Sequence, residues 1–173
     1  CRLLNANIVE LSATSGECIV GAFAVRKKDG RQRLVIDARL ANCHFAQPPC
    51  TKLPTGGSMA RLNCSAVNGF YCSCIDVRDF FYHLLLPLEL RKFFHLPPVT
   101  VGSLRRAGVK VSGPQSSKVF PRLRVVPMGW NHALDVAQRA FEEVVSRALS
   151  MPRSLFLRDG HVAGSLAQGV AAV

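Results

Sequence analysis

The chain has 173 residues, 49% hydrophobic and 19% charged, with 22 Lys and Arg against 11 Asp and Glu for a formal net charge of +11. That length and composition suit one folded domain with its own core and exclude a disordered chain. No apolar run approaches the ~20 residues of a membrane span; the longest, Phe80 to Leu88, is interrupted by His83 and Pro87.

The excess positive charge favours a polyanionic partner, nucleic acid first and an anionic membrane surface second. Arg-rich loops that only confer solubility would give the same count. There is no signal peptide, and the first residue is Cys1, so the chain is expected to begin inside a longer reading frame. Seven cysteines form no even framework, which makes free thiols in a reducing compartment the expectation. Cys43, His44 and Cys50, or Cys72 and Cys74, could suggest zinc, but their spacing does not match a structural site. Cys72 and Cys74 alternate across a strand and point to opposite faces.

In chain order, Cys18 to Val25 reads as a strand. An Asp29-Gly30 turn follows, and Arg33 to Asp37 forms the return strand of a hairpin with a basic tip. Phe45 to Leu62, rich in Pro, Gly and Thr, reads as an extended connection. Phe70 to Asp76 is the second clear strand. Leu88 to Lys92 is a helical turn after Pro87, and Phe93 to Leu96 resumes as a strand. Pro97 to Lys118 is loop-like, with three glycines, and Leu123 to Val126 is a short strand. Trp130 to Ser150 carries apolar residues at three- and four-residue spacing and predicts the main helix, with Asn131 as its N-cap and Pro152 as its stop. Arg139, Glu142, Glu143 and Arg147 make its solvated face. The tail beyond Arg153 gives no clear assignment.

Three places carry chemistry. Lys27, Lys28 and Arg33 set cations on a hairpin tip and the strand behind it, where a triphosphate would need neutralising; alone, a solvent-facing basic turn fits as well or better. Asp76 closes a strand and Asp79 follows three residues later. Carboxylates so placed suit Mg²⁺, which is held by one or two of them together with substrate phosphates. For Asp79 alone, a capping role fits better. Phe80, Phe81 and Tyr82 read as core aromatics, or as a ring that would collide with a ribonucleotide 2′-hydroxyl. Finally, Pro127-Met128-Gly129-Trp130 runs into the long helix, where a glycine permits close approach of a ligand and the helix start favours negative charge; an ordinary loop-to-helix junction fits equally well.

In order and spacing these segments resemble the fingers and palm of reverse transcriptases of retroviruses and retroelements. The fingers pattern Arg-x-x-x-Asp-x-Arg-x-x-Asn is Arg33, Asp37, Arg39 and Asn42. Motif A runs from Asp76 through Phe81, Pro87, Arg91 and Lys92. Motif B is Pro127, Gly129 and Gln138. The resemblance spans roughly Cys18 to Leu149. It implies an α+β fold, a partial right-hand polymerase with an antiparallel sheet and helices on one face. Residues 1–62 would be fingers-like, 63–99 palm motif A, 100–122 a loop insertion, 123–151 motif B with its helix, and 152–173 an unassigned tail.

The resemblance implies a first metal-binding aspartate at Asp76 and a carbonyl ligand at Val77, with Mg²⁺ or Mn²⁺ as the ion. Lys27 and Arg33 would hold the incoming triphosphate, Phe81 would exclude ribonucleotides, and Met128, Gly129 and Trp130 would line the nucleotide and template pocket. Many members have Gln where this chain has Met128, and a Ser-Pro or similar where it has His132-Ala133. Motif C, a Tyr-x-Asp-Asp hairpin, is missing; Asp159, in Leu157-Arg158-Asp159-Gly160, reads as a turn. The expected partners are an RNA or DNA template-primer and deoxynucleoside triphosphates, and no membrane. Thumb and motif C would come from a longer, intracellular polypeptide, nuclear or cytoplasmic. The competing readings are a non-catalytic nucleic-acid-binding remnant and an unrelated basic α/β domain.

Overall fold

The computed structural model describes residues 2–62, 74–160 and 171–172. It divides into two compact units, Cys1–Gln47 with Asp79–Ala133 and Pro48–Arg78 with Leu134–Val173. Among the described residues no helix is long and apolar enough to cross a membrane.

The first unit opens with a helical turn, α1 (Arg2–Asn5), and strand β1 (Val9–Ser12). Strands β2 (Gly21–Arg26) and β3 (Gln32–Asp37) form the expected antiparallel hairpin, with Phe23 opposite Val35 and Val25 opposite Arg33. Directly opposed residues share a face. Leu34 and Ile36 therefore lie on the inner face, with Ile36 buried, while Phe23 and Val25 stay half-exposed on the outer one. Strand β5 (Lys118–Leu123) is the middle of a second antiparallel sheet. Its neighbours are β1, with Val9 opposite Leu123, and the two-residue β4 (Val99–Thr100).

Several sequence expectations need correction here. Pro97 to Lys118 is not all loop: β4 leads directly into helix α4 (Val101–Arg106), whose Thr100 side chain accepts a hydrogen bond from the Ser103 N–H. That cap is a short local signal, and the surrounding glycines masked it. Phe93 to Leu96 is not a continuous strand. A 3-10 helix over Leu88–Phe93 ends only at Phe93, and His95 then makes single bridges to Ile19 and Arg122. The strand expected at Leu123 to Val126 lies earlier, as β5. Val125 adds only a bridge to Leu85.

The core of this unit gathers Val20, Leu86, Phe94, Val101, Leu123 and Val126, each 2% exposed or less. Burying each such side chain contributes about 1.5–3 kcal/mol. Beside it, Glu10 joins three cations. It accepts from Arg91 Nη1 at 2.9 Å and Arg122 Nε at 2.6 Å, and Arg124 Nε lies 3.5 Å away. Burial pushes the Glu10 carboxyl up, but the hydrogen bonds from Arg91 and Arg122 outweigh it and hold the group below its ordinary value. His95 is 1% exposed, and a Cβ at Gly16 would stand 2.3 Å from its ring, so only glycine fits over it.

The second unit holds α3 (Gly56–Ala60), closed by a reciprocal Thr55–Ser58 capping box, and all but the first residue of α5 (Ala133–Leu149). Strand β6 (Phe156–Leu157) is fully buried and pairs in parallel with β7 (Ala171–Ala172). Helix α5 starts at Ala133 and not at Trp130, and Asn131 does not cap it. The Asn131 Oδ1 is buried without a hydrogen-bond partner, and its Nδ2 donates to the Ala46 carbonyl at 3.4 Å. Its solvated face is also smaller than expected. Glu142 is 5% exposed, pairing with Arg158 and accepting from Gln138 Nε2 at 3.1 Å, whereas Val144 and Leu149 are exposed. Among the described residues the fold is thus mixed, with two antiparallel sheets, one short parallel pair and few helices, in keeping with the α+β expectation.

Candidate functional site

The hairpin tip is built by Gly30, whose φ of +81° suits the left-handed turn. The Lys27 N–H donates to the Arg31 carbonyl at 2.7 Å, and the Gly30 N–H to the Lys27 carbonyl at 3.0 Å. Asp29 engages Arg31 through its Nε at 2.8 Å. Arg33 points outward from β3 and is exposed. It also lies close enough to Tyr82 to act on its phenol: burial raises that pKa, the Asp79 charge raises it further, and Arg33 lowers it. The 3-10 helix Phe80–His83 carries the half-buried Phe81. Asp79 precedes that helix at φ +54° and makes no side-chain cap hydrogen bond, against the sequence expectation.

The segment after β3 explains its polar pattern. Arg39 grips Asp37 with two hydrogen bonds, Nε to Oδ1 at 2.9 Å and Nη2 to Oδ2 at 2.7 Å. The side-chain hydrogen bond from Arg39, with a second from its backbone N–H, holds the Asp37 pKa at about 2. Asn42 closes α2 (Arg39–Asn42) and reaches across the unit. Its Nδ2 donates to the Gly129 carbonyl at 2.9 Å and its Oδ1 accepts from the Asn131 N–H at 3.0 Å. Gly129 lies against the end of β3 at φ +123°, where a Cβ would stand 2.5 Å from the Ile36 carbonyl oxygen. Asn42 was legible only as the last letter of a spacing pattern. Its function as a two-ended tether needed the fold.

Met128 is partly exposed and Gly129 is exposed, but Trp130 is 8% exposed. Its ring packs edge-on to Phe45 at 5.3 Å and to Phe94 at 5.7 Å, and lies 5.3 Å from the His132 ring. Trp130 therefore anchors the loop in an aromatic core, while Met128 and Gly129 present its surface.

Asp76 and Val77 belong to the second unit, with Lys27, Arg33, Phe81, Met128, Gly129 and Trp130 in the first. Of the strand expected over Phe70 to Asp76, the part before Cys74 lies outside the described residues. Cys74 to Val77 is exposed and has no regular structure. Among the described residues no three His, Cys, Asp or Glu side chains gather as metal ligands do. The carboxylate of Asp76 and the carbonyl of Val77 suit one Mg²⁺ completed by substrate oxygens; this donor set does not suit the pair of ions of two-metal transfer.

In fold the chain is similar to the prototype foamy virus protease-reverse transcriptase, a crystal structure of a CSH mutant. The TM-score is 0.55 and the identity 16%, over 84% of this chain and 16% of that one. The shared feature is a retroviral polymerase-like fold at a coarse level. The chain spans about a sixth of that solved polypeptide. No family model matches the sequence, and no curated protein does.

Proposed function

We propose that this chain is a fingers-and-palm fragment of an RNA-directed DNA polymerase from a retroelement. In the complete polypeptide it would help add deoxynucleotides to a primer on an RNA or DNA template, inside the cell. The observation that carries this reading is the Asn42 tether. It ties α2, which follows the strand bearing Arg33, to the Gly129–Asn131 loop, so that two of the three sequence blocks of the resemblance meet in one unit. Arg33 and Lys27 would neutralise triphosphate oxygens, Phe81 would crowd a 2′-hydroxyl, and Met128, Gly129 and Trp130 would form and support the nucleotide pocket. Mg²⁺ or Mn²⁺, where bound at Asp76 and Val77, would supply charge neutralisation and alignment of phosphate oxygens. Because the donor set suits only one ion, the 173-residue chain is expected not to polymerise alone.

Primer extension on an RNA template, with Mg²⁺ or Mn²⁺, tests this. The isolated chain should give no product. A form extended downstream with thumb and motif C should give product that Asp76→Ala abolishes. Robust Asp76-dependent extension by the isolated chain would overturn the incompleteness. An extended form that is active but indifferent to Asp76→Ala would overturn the site.

The net charge of +11 favours a second reading, a binding remnant without chemistry. It predicts RNA binding that weakens steeply with salt, because phosphate contacts release counterions, and no extension by any longer form.

A further inference from the structure

The second unit contains a cavity of about 320 Å³ that none of the residues discussed as site residues lines. Among the described residues its wall is Lys52, Arg153, Ser154, Arg158 and Gly160: three cations, a hydroxyl and a glycine, with no carboxylate. The larger hollow in the first unit, about 430 Å³ beside Arg105 and Lys110, is chemically weaker. There Arg105 already donates Nε to the Val111 carbonyl at 3.0 Å and Nη2 to the Gly113 carbonyl at 2.8 Å.

The second-unit arginines are held from behind. Arg158 pairs through Nη2 with the buried Glu142 on α5, and Arg153 through Nη2 with Glu143, which is shared with Arg147. Four cations, counting Lys52, thus face two carboxylates. Pairing fixes two guanidinium groups without cancelling the local charge, and a planar guanidinium held in place is the group that grips phosphate oxygens with least loss of freedom. A further observation points to a ligand. Lys52 is exposed at the rim and pairs with no carboxylate among the described residues. Asp159, next in sequence, turns to Thr55 Oγ1 at 3.4 Å and Arg61 at 3.9 Å and does not line the cavity.

We infer that Lys52, Arg153 and Arg158 form a phosphate-binding pocket, sized for a diphosphate or for a backbone phosphate and its neighbours. The inference goes beyond the polymerase reading and does not depend on it. A chain that never extends a primer can still bind phosphate here.

The test is calorimetric titration of the 173-residue chain with pyrophosphate, comparing Lys52→Gln with Lys118→Gln, a surface control on β5. Both lysines are exposed, and circular dichroism confirms that each variant folds. Lys52→Gln should weaken pyrophosphate binding about tenfold, the loss of one charge-assisted hydrogen bond, while Lys118→Gln leaves it unchanged. No binding by the wild type, or equal affinity in wild type and Lys52→Gln, would overturn the pocket. The same variants, titrated with a labelled single-stranded oligonucleotide, identify the source of the phosphate. If Lys52→Gln weakens that binding too, and pyrophosphate competes, the pocket takes backbone phosphates. If oligonucleotide binding is unaffected while pyrophosphate binding falls, it takes free diphosphate.

Discussion

Asn42 joins α2 to the Gly129–Asn131 loop of the first unit by two side-chain hydrogen bonds. Asn42→Ala removes both hydrogen bonds to the Gly129–Asn131 loop and leaves a carbonyl and an N–H to find other partners. It should cost about 1–3 kcal/mol, read as a lower urea midpoint with unchanged slope. Asp37, gripped by Arg39, sets a different signature. Its pKa of about 2 lies below its ordinary 3.8, so the unfolded chain takes up the proton first. The stabilisation is complete above pH 3.8 and fades as the pH falls toward about 2. Asp37→Asn should therefore flatten the acid limb of a urea-midpoint profile in that window and leave its neutral plateau the same shape. A profile with the wild-type acid limb would show that the pair contributes nothing to folding.

Elements repeat the same lesson with longer levers. The β2–β3 hairpin was readable because a turn signal, a two-residue alternation and a basic tip coincide in one short stretch. The α4 helix and the single-residue bridges of His95 were not, because six residues carry too little periodicity and a bridge depends on a distant partner. The sequence placed Glu142 on a solvated face by helical spacing alone, yet it is buried against Arg158, sixteen positions along the chain. Long-range pairing of this kind overrides the pattern of a single helix. Glu142→Gln should accordingly destabilise the chain by about 1–3 kcal/mol, more than Glu143→Gln, whose carboxylate is exposed. Paired urea titrations of the two variants check the order.

At the scale of the whole molecule, sequence blocks in order pointed to a polymerase, and the similarity in fold supports a retroviral polymerase-like architecture at a coarse level. Of the candidate residues in the first unit, the Met128–Trp130 loop is tied to α2 by Asn42 and lies against Ile36 at the end of β3 through Gly129. Trp130 shows the limit of motif reasoning: its neighbours in sequence face solvent while its ring joins Phe45 and Phe94 in the core. Asp76, expected as a metal ligand, lies in an exposed stretch without regular structure, and among the described residues no three His, Cys, Asp or Glu side chains gather as metal ligands do. The primer-extension and phosphate experiments probe different residues of the second unit, Asp76 and Lys52, and either can fail without the other.

Gly16 lies over His95 so closely that no larger residue fits between them. The ring is sealed, and its pKa is depressed from 6.5 by burial and by Arg122, against a smaller opposing pull from Glu10. An acylating reagent that modifies the exposed His44 and His83 at once can reach His95 only when this part of the chain opens. The reaction at that one imidazole therefore counts openings, and turns a buried side chain into a clock for the first unit's excursions from its folded state.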